Sequence, residues 1–327
     1  MEQCLEILQR TIQSEDGNIK KAAAQCLGLI ESTHAANILM KLLPDKIWQV
    51  REAAVKSLGK LGFPETADIL VKMLKAEGDV RKAIMESATL KAPPPEKAPG
   101  GGAPGLGGGA KKPDAKNEEV WQVKKAIALA LSNIKPELAV DPLIAGLQHG
   151  NAAVVMASMV GLMNLQALKA EEPIIALLNH EDWKVQKTAI TVLGRLRSEK
   201  CLQQIINIFN ETKNEAVKVE VIVALNNIKH EGTYKLFAAA AEDDSSDVRK
   251  VAAIALGNTK DEEFVEALIP LLEDTIPSVR KAAADAVVNL KASDSLDKLV
   301  PLLQDKEEEV QTSVALAISK LFLLAKL

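Results

Sequence analysis

A ten-residue phrase recurs along this chain at a nearly constant interval, and this internal repeat is the strongest constraint on the fold. The phrase reads V-R/K-K-A-A-x-x-x-L-G, and we take its first apolar residue as position 0 of each repeat. The intervals are 31, 30, 43, 31, 31, 32, 31, 31 and 31 residues. A fixed period of this length is typical of proteins in which each unit packs against its sequence neighbours. Position 0 falls at Ile19, Val50, Val80, Val123, Val154, Val185, Val217, Val248, Val279 and Val310.

The spacing of apolar residues within a repeat predicts two helices. Small or apolar residues recur at positions 0, +3, +4 and +8, which is the stripe of a buried helix face. A second apolar pair lies seven to eight residues before position 0, as in Leu42-Leu43 and Leu271-Leu272, and ends another helical segment. Only 3% of the residues are aromatic, so Ala, Leu, Val and Ile must fill the core, and these favour helices. We therefore expect an all-α fold of about ten helix pairs.

The turn between the two helices carries an acceptor at position −5. It is aspartate in four repeats, namely Asp45, Asp243, Asp274 and Asp305. Such side chains satisfy backbone donors at the start of the coming helix. Arginine follows three of these aspartates six residues later, at Arg51, Arg249 and Arg280, and we expect the two side chains to form a ladder between stacked repeats.

The phrases DKIWQVREAAVKSLGKLG and DTIPSVRKAAADAVVNL resemble HEAT-like repeats, in particular the short phycobilisome-lyase-type subclass. The resemblance covers nearly the whole chain. It implies a right-handed α-solenoid whose second helices line a concave binding surface. It also implies a competing function, since bilin lyases that act on a chromophore share this repeat type.

One insertion interrupts the period. Residues 92–117 hold six prolines and seven glycines, a composition that predicts a flexible segment. The expected divisions are repeats in 1–91, the insertion 92–117, and repeats in 118–327. Either the two blocks are joined by a tether, or one continuous stack carries a looped insertion, because VRKAIMESA and VKKAIALAL are equally suitable second helices.

Charge and cysteine content narrow the functional classes. The formal net charge is −4, whereas proteins that bind a nucleic-acid backbone normally carry a basic excess. Basic doublets such as Lys20-Lys21 and Arg280-Lys281 lie close to acidic turns, so we expect them to pair within the protein. Cys4, Cys26 and Cys201 have no disulfide or zinc spacing, and we expect Cys26 on a buried helix face. No signal or membrane segment is recognisable, which predicts a cytoplasmic protein.

No residue cluster predicts catalysis or a cofactor. His180-Glu181 and His230-Glu231 are the two His-Glu pairs, but His180 and His149 both occupy position −5, where other repeats have aspartate. A metal site needs ligands that converge from facing helices. We therefore expect these histidines to be turn residues, and we expect no enzyme activity, no metal and no cofactor.

The central repeats carry apolar residues where outer repeats carry charged ones. A helix that is apolar on all sides must be covered on all sides, and methionines suit an adaptable groove. We expect a partner protein or peptide to bind here, with burial inside the chain as the alternative. The candidate residues are Val155, Met156, Met159, Val160, Met163, Ile190, Val219, Ile222 and Val223.

Two further features bear on binding. Trp48, Trp121 and Trp183 all occupy position −2, which indicates a shared packing role or an exposed anchor. The C-terminal sequence ISKLFLLAKL is apolar where a terminal repeat is normally polar, so it is a candidate for self-association, and fraying or truncation explains it equally well.

Overall fold

The computed structural model describes residues 1–76, 80–85, 115–134, 136–292 and 295–324. These residues form helices and turns, and no β-strand occurs among them. The chain divides into two compact units, Met1–Pro173 and Ile174–Leu327, so this boundary does not coincide with the insertion. The predicted flexible segment 92–117 lies outside the described residues up to 114, and its last three residues begin a helix.

The first unit contains four helix pairs and one additional short helix. In each pair the second helix is the one that carries position 0. The helices are α1 Glu2–Thr11, α2 Gly17–Leu27, α3 Thr33–Met40, α4 Trp48–Leu61, α5 Ala67–Lys75, α6 Val80–Met85, α7 Ala115–Leu131, α8 Pro136–Gly146 and α9 Ala152–Asn164. The second helices α2, α4, α7 and α9 pack against one another in that order.

The second unit contains five pairs, in which short 3-10 turns extend several of the first helices. The second helices α11, α13, α15, α17 and α19 again pack in chain order. The helices are α10 Glu171–Ala176, α11 Trp183–Leu196, α12 Leu202–Glu211, α13 Glu215–Ile228, α14 Tyr234–Ala240, α15 Ser246–Thr259, α16 Val265–Leu268, α17 Pro277–Asn289, α18 Leu296–Leu299 and α19 Glu308–Leu324.

The third pair consists of α5 and α7, and α7 packs against both α4 and α5. The Nζ atom of Lys124 on α7 donates a hydrogen bond of 2.6 Å to the carbonyl of Ala76, just after α5. The short helix α6, which begins at Val80, packs against α5. The described residues thus form nine helix pairs, one fewer than the register count, because Val80 and Val123 belong to one repeat.

The core follows the register. Position 0 is at most 1% exposed at every repeat from Val50 onward, and the leucines at position +8 are fully buried. The first repeat departs from this pattern, because Ile19 is 45% exposed and Cys26 is exposed. The expectation of a buried Cys26 is therefore wrong, because α2 packs against α1, α3 and α4 within the described residues and these helices leave Cys26 exposed.

Glycine at position +9 permits close approach between second helices. A Cβ atom added at Gly194 would lie 2.6 Å from the Cα atom of Ala224, and one added at Gly257 would lie 2.7 Å from the Cα atom of Ala286. These distances are shorter than any tolerated carbon contact. At these two junctions, glycine leaves room for the alanine of the next helix.

Candidate interaction surface

The nine predicted contact residues divide into a buried group and a partly open group. Val155, Met159, Ile190 and Ile222 are at most 2% exposed and belong to the interior. Val223 is 37% exposed, and the remaining four have intermediate exposure, namely Met156, Val160, Met163 and Val219. The first group is a correction to the predicted surface, because a fully buried side chain cannot contact a partner without unpacking.

The register explains this division. Position +5 is buried in every repeat except the last, and Met159, Ile190 and Ile222 all occupy it. Position +1, which Val155 occupies, carries the cation of an ion pair with the next turn in four other repeats. Positions +2 and +6 lie on a face that stays partly open, and they contain Met156, Val160, Val219 and Val223. In α9 the buried positions +1 and +5 are thus directly followed in sequence by the partly open positions +2 and +6. All four positions carry apolar residues there, so apolarity alone does not distinguish them.

Sequence reasoning missed three exposed apolar residues at position +6. They are Leu129 on α7, Ile254 on α15 and Leu316 on α19, with exposed fractions of 37%, 45% and 58%. Their shared position can be read from the repeat, because each lies six residues after position 0. Position +6 therefore supplies one apolar residue to the open face in several repeats of each unit.

Open grooves run between successive second helices on this face. In the first unit a groove of about 230 Å³ includes Lys56, Leu129 and Asn133. In the second unit a groove of about 590 Å³ lies along α11, α13 and α15 and includes Val219 and Val251. A further groove of about 530 Å³ between α17 and α19 includes Leu316. Grooves with apolar floors are suited to side chains of a bound segment.

Charged side chains of both signs border the apolar floor in the second unit. Lys187 and Lys250 occupy position +2, and Glu215 and Asp247 begin the neighbouring helices. Lys187 lies 3.9 Å from Glu220, a weak ion pair that leaves its Nζ donors largely available. The border therefore offers both cations and anions to a ligand.

A ladder forms in which the cation of one repeat binds the aspartate of the next, and Arg249 and Arg280 belong to it as predicted, whereas lysines make the other two rungs. Lys20 binds Asp45 at 2.7 Å in the first unit, and Lys218 binds Asp243 at 2.6 Å in the second. Arg249 and Arg280 are bidentate to Asp274 and Asp305, with all four distances between 2.6 and 3.0 Å. Each rung spans 25 residues, and each arginine also donates to carbonyls of its own turn. The first residue of the doublets Lys20-Lys21, Arg249-Lys250 and Arg280-Lys281 is therefore already paired.

The ladder shifts the ionisation of its members. Hydrogen bonds from Arg280 hold the pKa of Asp305 below its ordinary value, and the same bonds raise the pKa of Arg280. Burial opposes ionisation of Asp274, but hydrogen bonds from Arg249 and from the Ile276 N–H outweigh it, so its pKa is also lowered. Both carboxylates are thus charged at neutral pH.

The histidines act in turns, as the sequence indicates. Nδ1 of His149 accepts from the Asn151 N–H at 3.0 Å, and Nδ1 of His180 accepts from the Asp182 N–H at 3.0 Å. His230 accepts from the Gly232 N–H in the same way. Aspartates at position −5 make the equivalent bond, for example Asp274 to the Ile276 N–H at 2.8 Å. The donor in this bond is the N–H of the residue just before the helix, whereas the sequence predicted a donor at the start of the helix.

The three tryptophans lie at or near the start of second helices, and they differ in structural context. Trp48 and Trp121 have intermediate exposure, whereas Trp183 is 43% exposed and lies beneath the Nζ atom of Lys184 at 5.9 Å. Trp48 and Trp183 each form the first residue of their helix, as Pro277 does on α17. This common location is consistent with a packing role at the helix start.

Comparison with known proteins agrees with the stacked pairs. A family profile described as HEAT repeats matches residues 5–88, 171–248 and 233–319, which together exceed half of the chain. The chain belongs to the HEAT-repeat family. No curated protein matches this HEAT-repeat chain in a sequence search. The finer phycobilisome-lyase-type subclass stays a prediction.

Solved structures share the fold of this HEAT-repeat protein at low identity. YibA of Escherichia coli is 14% identical, with 94% of this chain and 98% of that chain covered and a TM-score of 0.60. A Kap95p complex with RanGDP is 14% identical, with 97% and 45% covered and a TM-score of 0.61. Kap121p bound to the extreme C-terminus of the phosphatase Cdc14p is 13% identical, with 98% and 38% covered and a TM-score of 0.55. At these identities the likeness concerns the fold alone.

Two searches of the described residues gave negative results. No group of three or more His, Cys, Asp or Glu side chains there has an arrangement that could hold a metal ion. Within the same residues, every helix is too short or too polar to span a bilayer.

Proposed function

We propose that this HEAT-repeat protein is a non-enzymatic scaffold that binds a protein or peptide partner on the second-helix face. The observation that carries the proposal is the row of partly open apolar residues at positions +2 and +6. In the second unit, Val219 on α13 lines a groove of about 590 Å³, and Val223 on α13 and Ile254 on the neighbouring α15 each lie one helical turn beyond a residue that lines it. Apolar anchors with a charged rim are the usual anatomy of a specific interface.

The partner that fits this surface is a segment with apolar anchors flanked by both charges. Lys187 and Lys250 are placed to bind carboxylates, and Glu215 and Asp247 are placed to bind amines. An amphipathic helix or an extended strand can supply such anchors at regular spacing. The Kap121p structure, which contains a bound phosphatase C-terminus, supports peptide binding as a function of this fold. The bilin-lyase-like and nucleic-acid alternatives have no comparable cluster of residues in their favour.

The test is selection of binders from a displayed library of random peptides against the purified chain. We expect enriched peptides with spaced apolar residues, whose binding is lost in the double variant Val223→Asp with Ile254→Asp. The matched control is Leu168→Asp, which places a negative charge on an apolar residue that is 66% exposed in the 3-10 turn between α9 and α10. Peptides that bind wild type and the double variant equally would overturn the assignment to this face.

The same variants require a folding control. Both substituted residues are partly exposed, so the far-ultraviolet circular dichroism and the unfolding midpoint should stay near those of wild type. The pair Met156 and Met159 is unsuitable for this test, because Met159 is fully buried and its replacement by glutamate would unfold the repeat.

A further inference from the structure

Position +10 of the second helices carries asparagine in five of the nine described helix pairs. This position lies one helical turn after position +6, so it belongs to the same open face. Leu129 and Asn133, at positions +6 and +10 of one repeat, line one groove. Four of the five side chains are exposed, and Asn227 has intermediate exposure. The asparagines are Asn133 and Asn164 in the first unit and Asn227, Asn258 and Asn289 in the second.

Helix stability does not explain asparagine at position +10, because asparagine is a poorer helix former than alanine, lysine or glutamine. Asparagine is favoured as the left-handed residue that ends a helix, but in this protein that residue is at position +12. The residues with positive φ there are Gly62, Gln166, Arg197, Lys229, Lys260 and Lys291. Within the described residues, the five asparagine side chains make a single hydrogen bond, from Asn258 to the Asn226 side chain on α13 at 3.3 Å. The amides are therefore available to a ligand.

A row of side-chain amides suits the main chain of an extended peptide better than a helix. Each amide offers two donors and one acceptor oxygen, and an extended peptide offers free N–H and C=O groups to match them. A helical partner has already bonded these groups within its own helix. Spacing alone does not distinguish the two partners. Packed helices lie about 8–10 Å apart, three residues of extended chain span about 10 Å, and two helical turns span about 11 Å.

Cations flank the three asparagines of the second unit at the same position. Position +10 is Arg195 on α11 and Lys320 on α19, and both side chains are exposed. Because α11, α13, α15, α17 and α19 pack in chain order, the row consists of a cation, three amides and a cation. Neither cation forms an ion pair within the part of the chain that the structure describes. This charge pattern is complementary to a segment that carries a carboxylate toward each end.

We propose that the second unit binds an extended peptide segment whose main chain is hydrogen-bonded by Asn227, Asn258 and Asn289 and whose acidic ends face Arg195 and Lys320. This inference rests on the proposed function, because it requires that the second-helix face binds a peptide. Four helix intervals separate the two cations, so the carboxylates lie about ten to twelve residues apart in the segment. Apolar side chains of the segment contact position +6 and recur about every third residue.

The first test measures the affinity of amide variants for peptides enriched from the displayed random library. Asn258→Ala and Asn289→Ala each remove one amide, and we expect each to weaken binding about two- to tenfold, as for one hydrogen bond. The matched control is Asn210→Ala, which removes an exposed asparagine from the first helix α12 and should bind like wild type. Alanine is the better helix former, so the unfolding midpoint should not fall in any of the three variants.

A coupling experiment tests the main-chain bonds themselves. In an enriched peptide, each backbone N–H is replaced in turn by an ester oxygen, which removes one donor and leaves the side chains unchanged. We expect the sensitive positions to recur about every third residue. One of these positions should lose its sensitivity in Asn258→Ala, because the bond is then already absent. Ester effects that are the same in wild type and in Asn258→Ala at every position would overturn the bonding.

Repeated selection on charge variants tests the acidic ends. Peptides enriched on wild type should carry Asp or Glu toward both ends. Arg195→Gln should remove this preference at one end, and Lys320→Gln should remove it at the other. Lys235→Gln, which removes an exposed cation from the first helix α14, should retain both preferences. Acidic preferences that survive at both ends in both row variants would overturn the charge pairing.

The outcomes separate this inference from the proposed function. A selection that enriches no peptide would overturn both. Enriched peptides that lose binding in the double variant Val223→Asp with Ile254→Asp, yet bind Asn258→Ala and Asn289→Ala as tightly as wild type, would overturn the extended main-chain arrangement alone. The proposed function would then stand, with a helical segment as the partner.

Discussion

The repeat of Val279 and the repeat of Val154 have the same backbone plan and opposite surface chemistry. In the first, Asp274 accepts from the coming helix and also from Arg249, while Arg280 binds Asp305. In the second, neutral His149 makes the turn bond, and position +1 is the buried Val155. The turn geometry therefore does not depend on a carboxylate. The ladder is an additional set of contacts, and the repeat without it carries Met156, Val160 and Met163 instead.

This difference separates two roles of the second helix. One edge joins consecutive repeats through positions +1 and +5, and charged or apolar residues both serve there. The other face, through positions +2 and +6, supplies polar contacts between some repeats, such as Lys281 with Glu309, and its residue types vary from repeat to repeat. Four experiments test this separation, from the largest expected effect to the smallest.

Removal of one ladder arginine should have the largest effect. Arg280→Met deletes the bidentate bond to Asp305 and leaves a carboxylate that is 8% exposed without its partner. We expect the free energy of unfolding to fall by about 2 kcal/mol, as for other hydrogen bonds to charged groups. Urea denaturation measures the change. Lys281→Met on the same helix removes an exposed pair with Glu309 and should leave the midpoint unchanged.

Acid should weaken the ladder repeats by a smaller amount, because a protonated carboxyl keeps some hydrogen bonds. The folded pKa values of Asp274 and Asp305 are lowered, so their stabilisation is fully present above the unfolded value of about 3.9 and is lost as pH falls through the folded values. Urea midpoints measured against pH should decline below about pH 4. In Asp305→Asn this decline should be shallower, and an unchanged slope would contradict the assignment.

The repeat without a ladder should respond at a higher pH. Burial, followed by the charge of Lys124, lowers the pKa of His149, and its Nδ1 must be unprotonated to accept from Asn151. Stability should therefore fall as pH drops below the unfolded value of about 6.5 toward the folded value. The loss should not exceed one hydrogen bond, about 1 kcal/mol. His149→Asn keeps an acceptor without titrating, and its stability should be flat over this range.

The smallest effect concerns the ends of the second helices. Gly62 ends α4 with φ of 66°, whereas Arg197, Lys229, Lys260 and Lys291 have φ between 55° and 61° in the second unit. Glycine adopts this region without steric cost, so Lys260→Gly should stabilise the protein by about 0.5 kcal/mol. Thermal unfolding measures the gain. Lys250→Gly, inside α15, should instead lower stability by about 1 kcal/mol.

Much of the fold was predictable because one physical requirement recurs in every repeat. Position 0 must be buried between helices, and the valines from Val50 to Val310 meet this requirement. The exceptions are Ile19 and Cys26 on α2, which remain exposed. The sequence predicts about ten helix pairs, and the described residues form nine, because Val80 and Val123 both begin plausible second helices and α7 is the one that packs against α4.

The surface was harder to predict than the fold. Val155 and Met156 are adjacent in sequence and equally apolar, yet one is buried in the stack and the other is partly open. The distinction depends on the angle at which successive helices pack. The apolar pattern of one helix carries no information on that angle. Comparison of position +6 across repeats would have identified Leu129, Ile254 and Leu316 without coordinates.

The bond from Lys124 to the Ala76 carbonyl bears on how the chain reaches its native state. This contact joins residues 48 apart in sequence, whereas each ladder rung joins residues 25 apart. Each doubling of a loop raises its closure free energy by only about 0.6 kcal/mol. A segment inserted after α5 therefore adds little to the barrier for docking α7. The same site can accept a fused domain or a change in segment length with little loss of folding rate.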